Sequence, residues 1–225
     1  MVYKHFIKRL IDIILSLIAF LILLPFLFPI IIILLLTGEH EVFYLQKRVG
    51  FKNERFQIWK FATMLKNSPN MGTGSLTLRK DPRVLPIGKF LRQTKINELP
   101  QIVNVLIGNM SIVGPRPQME VDFYKFPDEV QKLIYNAKPG ITGIGSIVYR
   151  DEEKLITESG MEPHEFYKKH LAPHKGELEL WYQDHLTFYT DIMLIFLTAW
   201  VIIRPDSKLI YKTFKDLPPY PKAQV

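Results

Sequence analysis

Glu98 is the residue around which chemistry can be assembled in this 225-residue chain. It stands in the stretch 92–117, R-Q-T-K-I-N-E-L-P-Q-I-V-N-V-L-I-G-N-M-S-I-V-G-P-R-P, with Arg92 before it and Arg116 after it. A carboxylate near a helix N-terminus and bracketed by two arginines is a device for handling a phosphate and its metal ion. The arginines pair with phosphoryl oxygens, and carboxylate oxygens suit a hard divalent cation. Asn97 can act as the N-cap, and Pro100 is tolerated in the first turn. Ile102, Val103, Val105, Leu106 and Ile107 give a short helical pattern that Gly108 stops. On composition alone the same residues are a capped amphipathic helix followed by the stiff turn Gly114-Pro115-Arg116-Pro117.

The element that must carry this stretch to its substrate is at the N-terminus. From 10 to 37 the only charge is Asp12, and such a run reaches about 40 Å as a helix, enough to cross a bilayer with tilt. It is too long for a cleavable signal peptide and no small-residue cleavage site follows. Pro25 and Pro29 each remove a backbone hydrogen bond in its middle. Two geometries compete, a kinked span and a hairpin that enters and leaves by one leaflet. Lys4, Lys8 and Arg9 flank the run on one side and Lys47, Arg48 and Lys52 on the other. The tendency of basic flanks to stay in the cytoplasm favours the re-entrant form. The organisation expected is a membrane-inserted helix over 1–38, a cytoplasmic domain over 39–217 and a loose tail over 218–225.

Composition narrows the classes. The chain has no cysteine, which excludes disulfides, zinc–thiolate sites and thiol nucleophiles. A net charge of +7 favours anionic partners such as lipid headgroups or nucleotides. The basic residues gather beside the apolar run and the proline turns, and no nucleic-acid module is recognised, so a nucleic-acid partner is not expected. Residues 42–45 read as a short strand or the end of a helix. Residues 66–83 are turn-rich and read as a mobile loop; Gly72-Thr73-Gly74-Ser75 lacks the Gly-Lys-[Ser/Thr] of a phosphate loop. Residues 118–135 have helical spacing, with Val121, Phe123, Tyr124, Val130, Leu133 and Ile134 as expected core. The acids Asp151, Glu152 and Glu153 suit a helix start. His170 and His174 have i,i+4 spacing, but Pro173 intervenes and no H-E-x-x-H occurs, so a packing role is expected. The apolar residues of 191–203 are short for a span and suit an interfacial or core helix.

Longer patterns carry a resemblance. E-L-P-Q, N-V-L-x-G-x-M-S-x-V-G-P-R-P, the Q-x-R-x-G of 46–50, the K-F-x-T-M of 60–64, I-G-K-F-L-R at 87–92 and K-P-G-I-T-G at 138–143 resemble the bacterial sugar transferases. These are monotopic polyprenyl-phosphate hexose-1-phosphate (phosphoglycosyl) transferases, and the likeness runs from Lys8 to about Thr198. It implies a small α-rich α+β domain with a re-entrant N-terminal membrane helix and interfacial amphipathic helices, on the cytoplasmic face of the bacterial inner membrane. It also implies transfer of a sugar-1-phosphate from a UDP-sugar to a polyprenyl (undecaprenyl) phosphate, the first step of capsule, O-antigen, exopolysaccharide or glycoconjugate assembly. Arg92, Arg116, Lys60 and Arg150 are then expected to bind phosphate, and Glu98 to hold Mg²⁺. The sugar pocket is expected around 66–80 and 144–160. An anionic bilayer and downstream glycosyltransferases are expected partners, and a homo-oligomer is compatible with the sequence.

Three positions depart from the family pattern. Ala62 stands where a basic residue is usual, and Asn109 replaces an Asp. Asn97 occupies the place of the family's proposed Asp nucleophile, which forms an acyl-phosphate intermediate. Three outcomes follow: Glu98 becomes the nucleophile, the lipid phosphate attacks the nucleotide sugar directly with Asn97 orienting it, or the protein is a catalytically impaired membrane scaffold of the same fold.

Overall fold

The apolar run forms one helix, α1 (Lys8–Leu36), that continues through Pro25 and Pro29. The structure, a computed structural model, describes residues 3–221. After α1 come a hairpin of β1 (Phe43–Val49) and β2 (Arg55–Phe61), then α2 (Pro86–Gln93), α3 (Gln101–Ile107) and β3 (Ser111–Val113). The second half holds α4 (Glu120–Phe123), α5 (Asp128–Leu133), β4 (Gly140–Thr142), α6 (Ile144–Val148), α7 (Glu152–Glu158), α8 (Pro163–Phe166), α9 (Ala172–Asp184), α10 (Phe188–Ile203) and α11 (Leu209–Thr213). β1 and β2 pair antiparallel, and β3 and β4 pair parallel. The chain is thus a helix-rich α+β fold, as its patterns suggested.

Both ends of α1 are fixed to the rest of the domain. At its start Lys8 Nζ lies 2.6 Å from Asp191 of α10, Arg9 donates to the carbonyls of Val105 and Leu106, and Asp12 accepts from the Ile112 N–H. Near its other end Leu27 and Leu34 are buried with Phe61 of β2 and Leu91 of α2. Lys8 and Arg9, expected as free flanking cations, are therefore spent internally. Lys8 neutralises a buried carboxylate, and Arg9 with Lys138 satisfies the carbonyls at the α3 C-terminus, where cations complement the helix dipole. Between these anchors Ile14, Leu17, Ile18, Leu21, Ile22, Phe26 and Phe28 are exposed.

The main core lies between α9, α10 and the segments 123–149, around the fully buried Tyr135, Ile144, Leu178, Tyr182, Leu194 and Leu197. The helical pattern over 118–135 is broken into α4 and α5, with Pro127 before the second. That break shifts the helical phase, so Phe123, Val130 and Ile134 are buried while Val121, Tyr124 and Leu133 are exposed. α10 buries Leu194, Leu197 and Val201 and leaves Phe188, Tyr189, Ile192, Phe196, Trp200 and Ile203 exposed. His174 packs in the core and bonds the Tyr149 hydroxyl at 2.6 Å. Pro218 and Tyr220 of the expected loose tail also contact this region: the Pro218 carbonyl lies 3.3 Å from His174, and the Tyr220 ring lies 5.7 Å from that of Tyr149. Residues 222–225 of that tail lie outside the described residues.

Residues 66–83, expected to be mobile, are instead folded around one buried arginine. Arg83 donates to the carbonyls of Ser68, Met71, Gly74 and Leu76, to Thr73 Oγ1 and to Asp81. A turn-rich segment has no ladder of its own, and here a guanidinium fork supplies the missing donors.

The Gly114-Pro115-Arg116-Pro117 turn is pressed against β4. Gly114 N–H donates to Thr142 O and Gly140 N–H donates to Pro115 O, both at 2.9 Å. A Cβ on Gly114 would lie 2.2 Å from the Lys138 carbonyl oxygen, which no L side chain tolerates without backbone movement. Gly114→Ala is therefore expected to destabilise the fold by about 1–3 kcal/mol or more, seen as a lowered midpoint in chemical unfolding; an unchanged midpoint would mean that the two turns are not so closely packed.

Candidate active site

The residues around Glu98 are brought together by three backbone devices. α2 ends at Gln93, and Lys95 takes a left-handed conformation (φ 61°) that redirects the chain into a 3₁₀ turn over Ile96–Glu98. Non-glycine residues at positive φ are costly and concentrate at functional sites. The β1–β2 register sets Lys60 opposite Tyr44, and strand alternation puts Tyr44, Gln46 and Arg48 on one face with it. The proline-flanked turn presents Arg116, whose carbonyl accepts from the Tyr135 hydroxyl at 2.9 Å while that hydroxyl accepts from Gln118 N–H at 2.8 Å.

These devices converge on one carboxylate. Arg116 binds Glu98 bidentately, Nη2 to Oε1 at 2.6 Å and Nη1 to Oε2 at 3.3 Å, and Lys60 Nζ reaches Oε1 at 3.2 Å. The Glu98 and Lys60 side chains are each 13% exposed. Burial alone would raise the Glu98 carboxyl, but Arg116 and then Lys60 outweigh it and hold it well below the usual carboxylate range. Burial pushes the Lys60 ammonium down to about 7, with Arg48 and Arg116 adding to the effect and Glu98 opposing it. Arg48 donates to Gln46 Oε1 and to the Pro117 carbonyl and is itself lowered to about 10 by burial and by Arg116.

The other expected site residues are distributed around the same cleft, about 1910 Å³ in volume. Arg92 does not touch Glu98; its Nη2 lies 2.8 Å from Glu153 Oε1. Arg150 is half-buried in the lining, and among the described residues neither it nor Arg48 has a carboxylate within ion-pair distance. Asn97 is buried in the lining too. It is not the N-cap of α3, because α3 starts at Gln101 with Pro100 before it, and no side chain caps it. The Asn97 Oδ1 has no hydrogen-bond partner. Residues 74–81 and most of 145–158 border the cleft.

Sequence reasoning gave Arg48 as a basic flank of the apolar run and as part of the Q-x-R-x-G pattern, without a place in the site. The alternation of β1 was the signal that separates it from Lys47, which is exposed on the opposite face. Lys175 of α9, 2.8 Å from Glu152, and the Tyr167 hydroxyl 3.4 Å from Lys175 were not found, and no local spacing marks them. The acids of 151–153 do open α7, but each also meets a cation from a distant segment: Arg79 on Asp151, Lys175 on Glu152 and Arg92 on Glu153.

The cleft continues onto α1, where Leu15, Ala19, Leu23 and Leu34 form part of its wall. A buried group of cations around one carboxylate, open to an apolar helix face, can bind the phosphates of an amphiphilic ligand.

Comparison with known proteins bears on this arrangement. The chain is 34% identical over 199 residues to the UDP-glucose:undecaprenyl-phosphate glucose-1-phosphate transferase of Escherichia coli, covering 87% of this chain and 40% of that protein. It is 30% identical over 218 residues to the undecaprenyl-phosphate galactose phosphotransferase of Salmonella typhimurium, covering 91% and 42%. It is 33% identical over 173 residues to an uncharacterized sugar transferase of Bacillus subtilis, covering 77% and 75%. The chain thus spans less than half the length of the first two relatives. Residues 3–205, which include α1, the Glu98 cluster and α10, match the family model for bacterial sugar transferases, and the chain belongs to that family.

Proposed function

We propose that this protein moves a sugar-1-phosphate from a UDP-sugar to a membrane polyprenyl phosphate, releasing UMP and starting capsule, O-antigen, exopolysaccharide or glycoconjugate assembly. The observation that carries this reading is the continuity of one cleft from the Lys60–Glu98–Arg116 cluster to the apolar face of α1. A lipid phosphate has that same polarity, a charged head on a greasy chain. Lys60, Arg48, Arg92, Arg116 and Arg150 can together counter the charge on two phosphate-bearing substrates, which phosphoryl transfer requires.

The membrane arrangement we propose is re-entrant. α1 would span about 43 Å if straight, yet its start is bound to α10, α3 and β3 and its end to β2 and α2. With both ends on one domain, neither is free to cross to the far side. The exposed middle of α1 and the exposed apolar face of α10 would then meet lipid from the cytoplasmic side, with Trp200 and Tyr189 suited to the interface.

Magnesium fits this site in one way. Among the described residues no group of three or more histidines and acids is gathered to cage a metal, but Mg²⁺ commonly uses one or two carboxylates with the substrate's own phosphates. Glu98 would hold it after releasing Arg116 and Lys60 to the substrate phosphates, and the ion would supply charge neutralisation on the diphosphate.

Lys60 gives this function a pH signature. It is charged below about 7 in the free protein and neutral above, so affinity for an anionic donor should fall as pH rises, by about tenfold between pH 6 and 8. Calorimetric titration with a UDP-sugar, whose diphosphate does not titrate there, reads this directly. Lys60→Arg should flatten the profile, and a flat wild-type profile would mean that Lys60 stays charged.

The test of function is UMP release by the full chain in vesicles holding polyprenyl phosphate, with Mg²⁺ and a panel of UDP-sugars. Lipid-dependent UMP is the expected result. The alternative of an impaired scaffold rests on Asn97 and requires silence from wild type with activity gained in Asn97→Asp.

A further inference from the structure

We propose that, in this chain, the sugar phosphate passes from donor to lipid in one direct displacement, with Asn97 serving as a neutral hydrogen-bonding group beside the reacting phosphates. This deepens, and rests on, the transferase reading above. The alternative route needs a side chain that takes the sugar phosphate covalently before the lipid does.

The interior of the cleft offers no carboxylate free for that task among the described residues. Glu98 carries Arg116 on both oxygens and Lys60 on one of them. Asp81 is paired with Arg83, Asp122 with Lys125, Glu152 with Lys175 and Glu153 with Arg92. A carboxylate engaged in charge-assisted hydrogen bonds must shed them before its lone pair can attack phosphorus, and its low basicity makes it a weak nucleophile. Beside Glu98 the chain supplies an amide instead, and an amide oxygen is weaker still.

Other observations favour both substrates being present together. The cleft, at about 1910 Å³, exceeds the roughly 300–1,000 Å³ of a site for one small ligand. Arg48 and Arg150 line it without carboxylate partners, so cationic capacity remains after Glu98 has neutralised part of the Lys60–Arg116 charge. Asn97 is 6% exposed and lines the cleft next to Glu98. An amide at this point does not repel an approaching lipid phosphate, as a carboxylate would, and it can donate an N–H to a phosphoryl oxygen. In the step itself, an oxygen of the lipid phosphate bonds to the phosphorus that carries the sugar. The bond from that phosphorus to the bridging oxygen breaks, and its electron pair leaves with UMP. The lipid phosphate enters and UMP departs in the same ionisation state, so charge balances with no proton taken up or lost.

Isotope exchange tests this. The full chain, in vesicles with or without polyprenyl phosphate, is given a UDP-sugar, Mg²⁺ and labelled UMP, and label entering the UDP-sugar is measured alongside turnover. Direct displacement predicts turnover with the lipid and no exchange without it, and inversion at a chiral phosphorus in the product. It further predicts that Asn97→Ala retains lipid-dependent turnover, reduced by about 10²-fold, the scale of losing one positioned hydrogen-bond donor. Exchange by wild type in lipid-free vesicles, or retention at phosphorus, would overturn direct displacement and leave the transferase reading intact. Absence of lipid-dependent turnover with every sugar tested would remove both.

Discussion

Glu98→Gln should lower turnover by about 10²–10³-fold without weakening, and even while tightening, the binding of the nucleotide sugar. The carboxylate now neutralises Arg116 and Lys60 at 2.6 and 3.2 Å. Once it becomes an amide, Arg116 loses its internal counter-charge and Lys60 loses the partner that favours its charged form, and a substrate diphosphate is the obvious replacement. The same change leaves charge uncompensated in the empty protein, at a stability cost of about 1–3 kcal/mol, below the range for a fully buried pair because a third of the Arg116 side chain is exposed to solvent. The measurement is a paired one: thermal midpoint with and without donor, and kcat beside KM. A lower midpoint that the donor restores, with kcat lost and KM not raised, is the expected pattern. A raised KM with normal kcat would make Glu98 a uniform binding group and not part of the reacting centre.

The second large effect belongs to Arg83, remote from any proposed chemistry. Its side chain is 3% exposed and its partner Asp81 4%, and it is the common donor for four carbonyls of the loop that borders the cleft. Arg83→Leu would leave a buried carboxylate without its cation and take from those four carbonyls the one donor they share, at about 3–5 kcal/mol, a large share of the roughly 5–15 kcal/mol that holds a domain folded. The unfolding midpoint should drop by roughly 10 °C, and trypsin should gain access to Arg79 and Lys80 well before the rest of the chain. Equal protease resistance in variant and wild type would show that the loop keeps its shape by other means.

What was legible in the sequence depended on range. The apolar run became α1, the 42–45 pattern fell in β1, and Glu98 with Arg116 came together, because each signal lay in residue type, period or a stiff proline turn. The misreadings share another cause. Arg83 sits in a segment whose composition says loop, and only its folded surroundings turn Gly, Ser and Pro residues into a ring of acceptors. Lys8 looked like a membrane flank until Asp191, 183 positions away, met it. Arg92 looked like a partner for Glu98's ligand, but Glu153, brought in with α7, holds it. Asn97 fits a capping pattern by spacing, yet the left-handed Lys95 and Pro100 move the start of α3 beyond it. Local pattern reports which groups can act, and long-range pairing decides which of them are already engaged.

The double attachment of α1 has a practical corollary for anyone wishing to work with this protein in solution. A shortened protein beginning after Leu36 would not be the remaining domain intact. It would lack the carboxylate that receives the Ile112 N–H, the cation buried on Asp191, the donor to the end of α3 and the leucines covering Phe61 and Leu91. The greasy helix is an internal wall as much as a tether, so solubility here must be sought by redesigning the outward residues of α1 and keeping the inward ones.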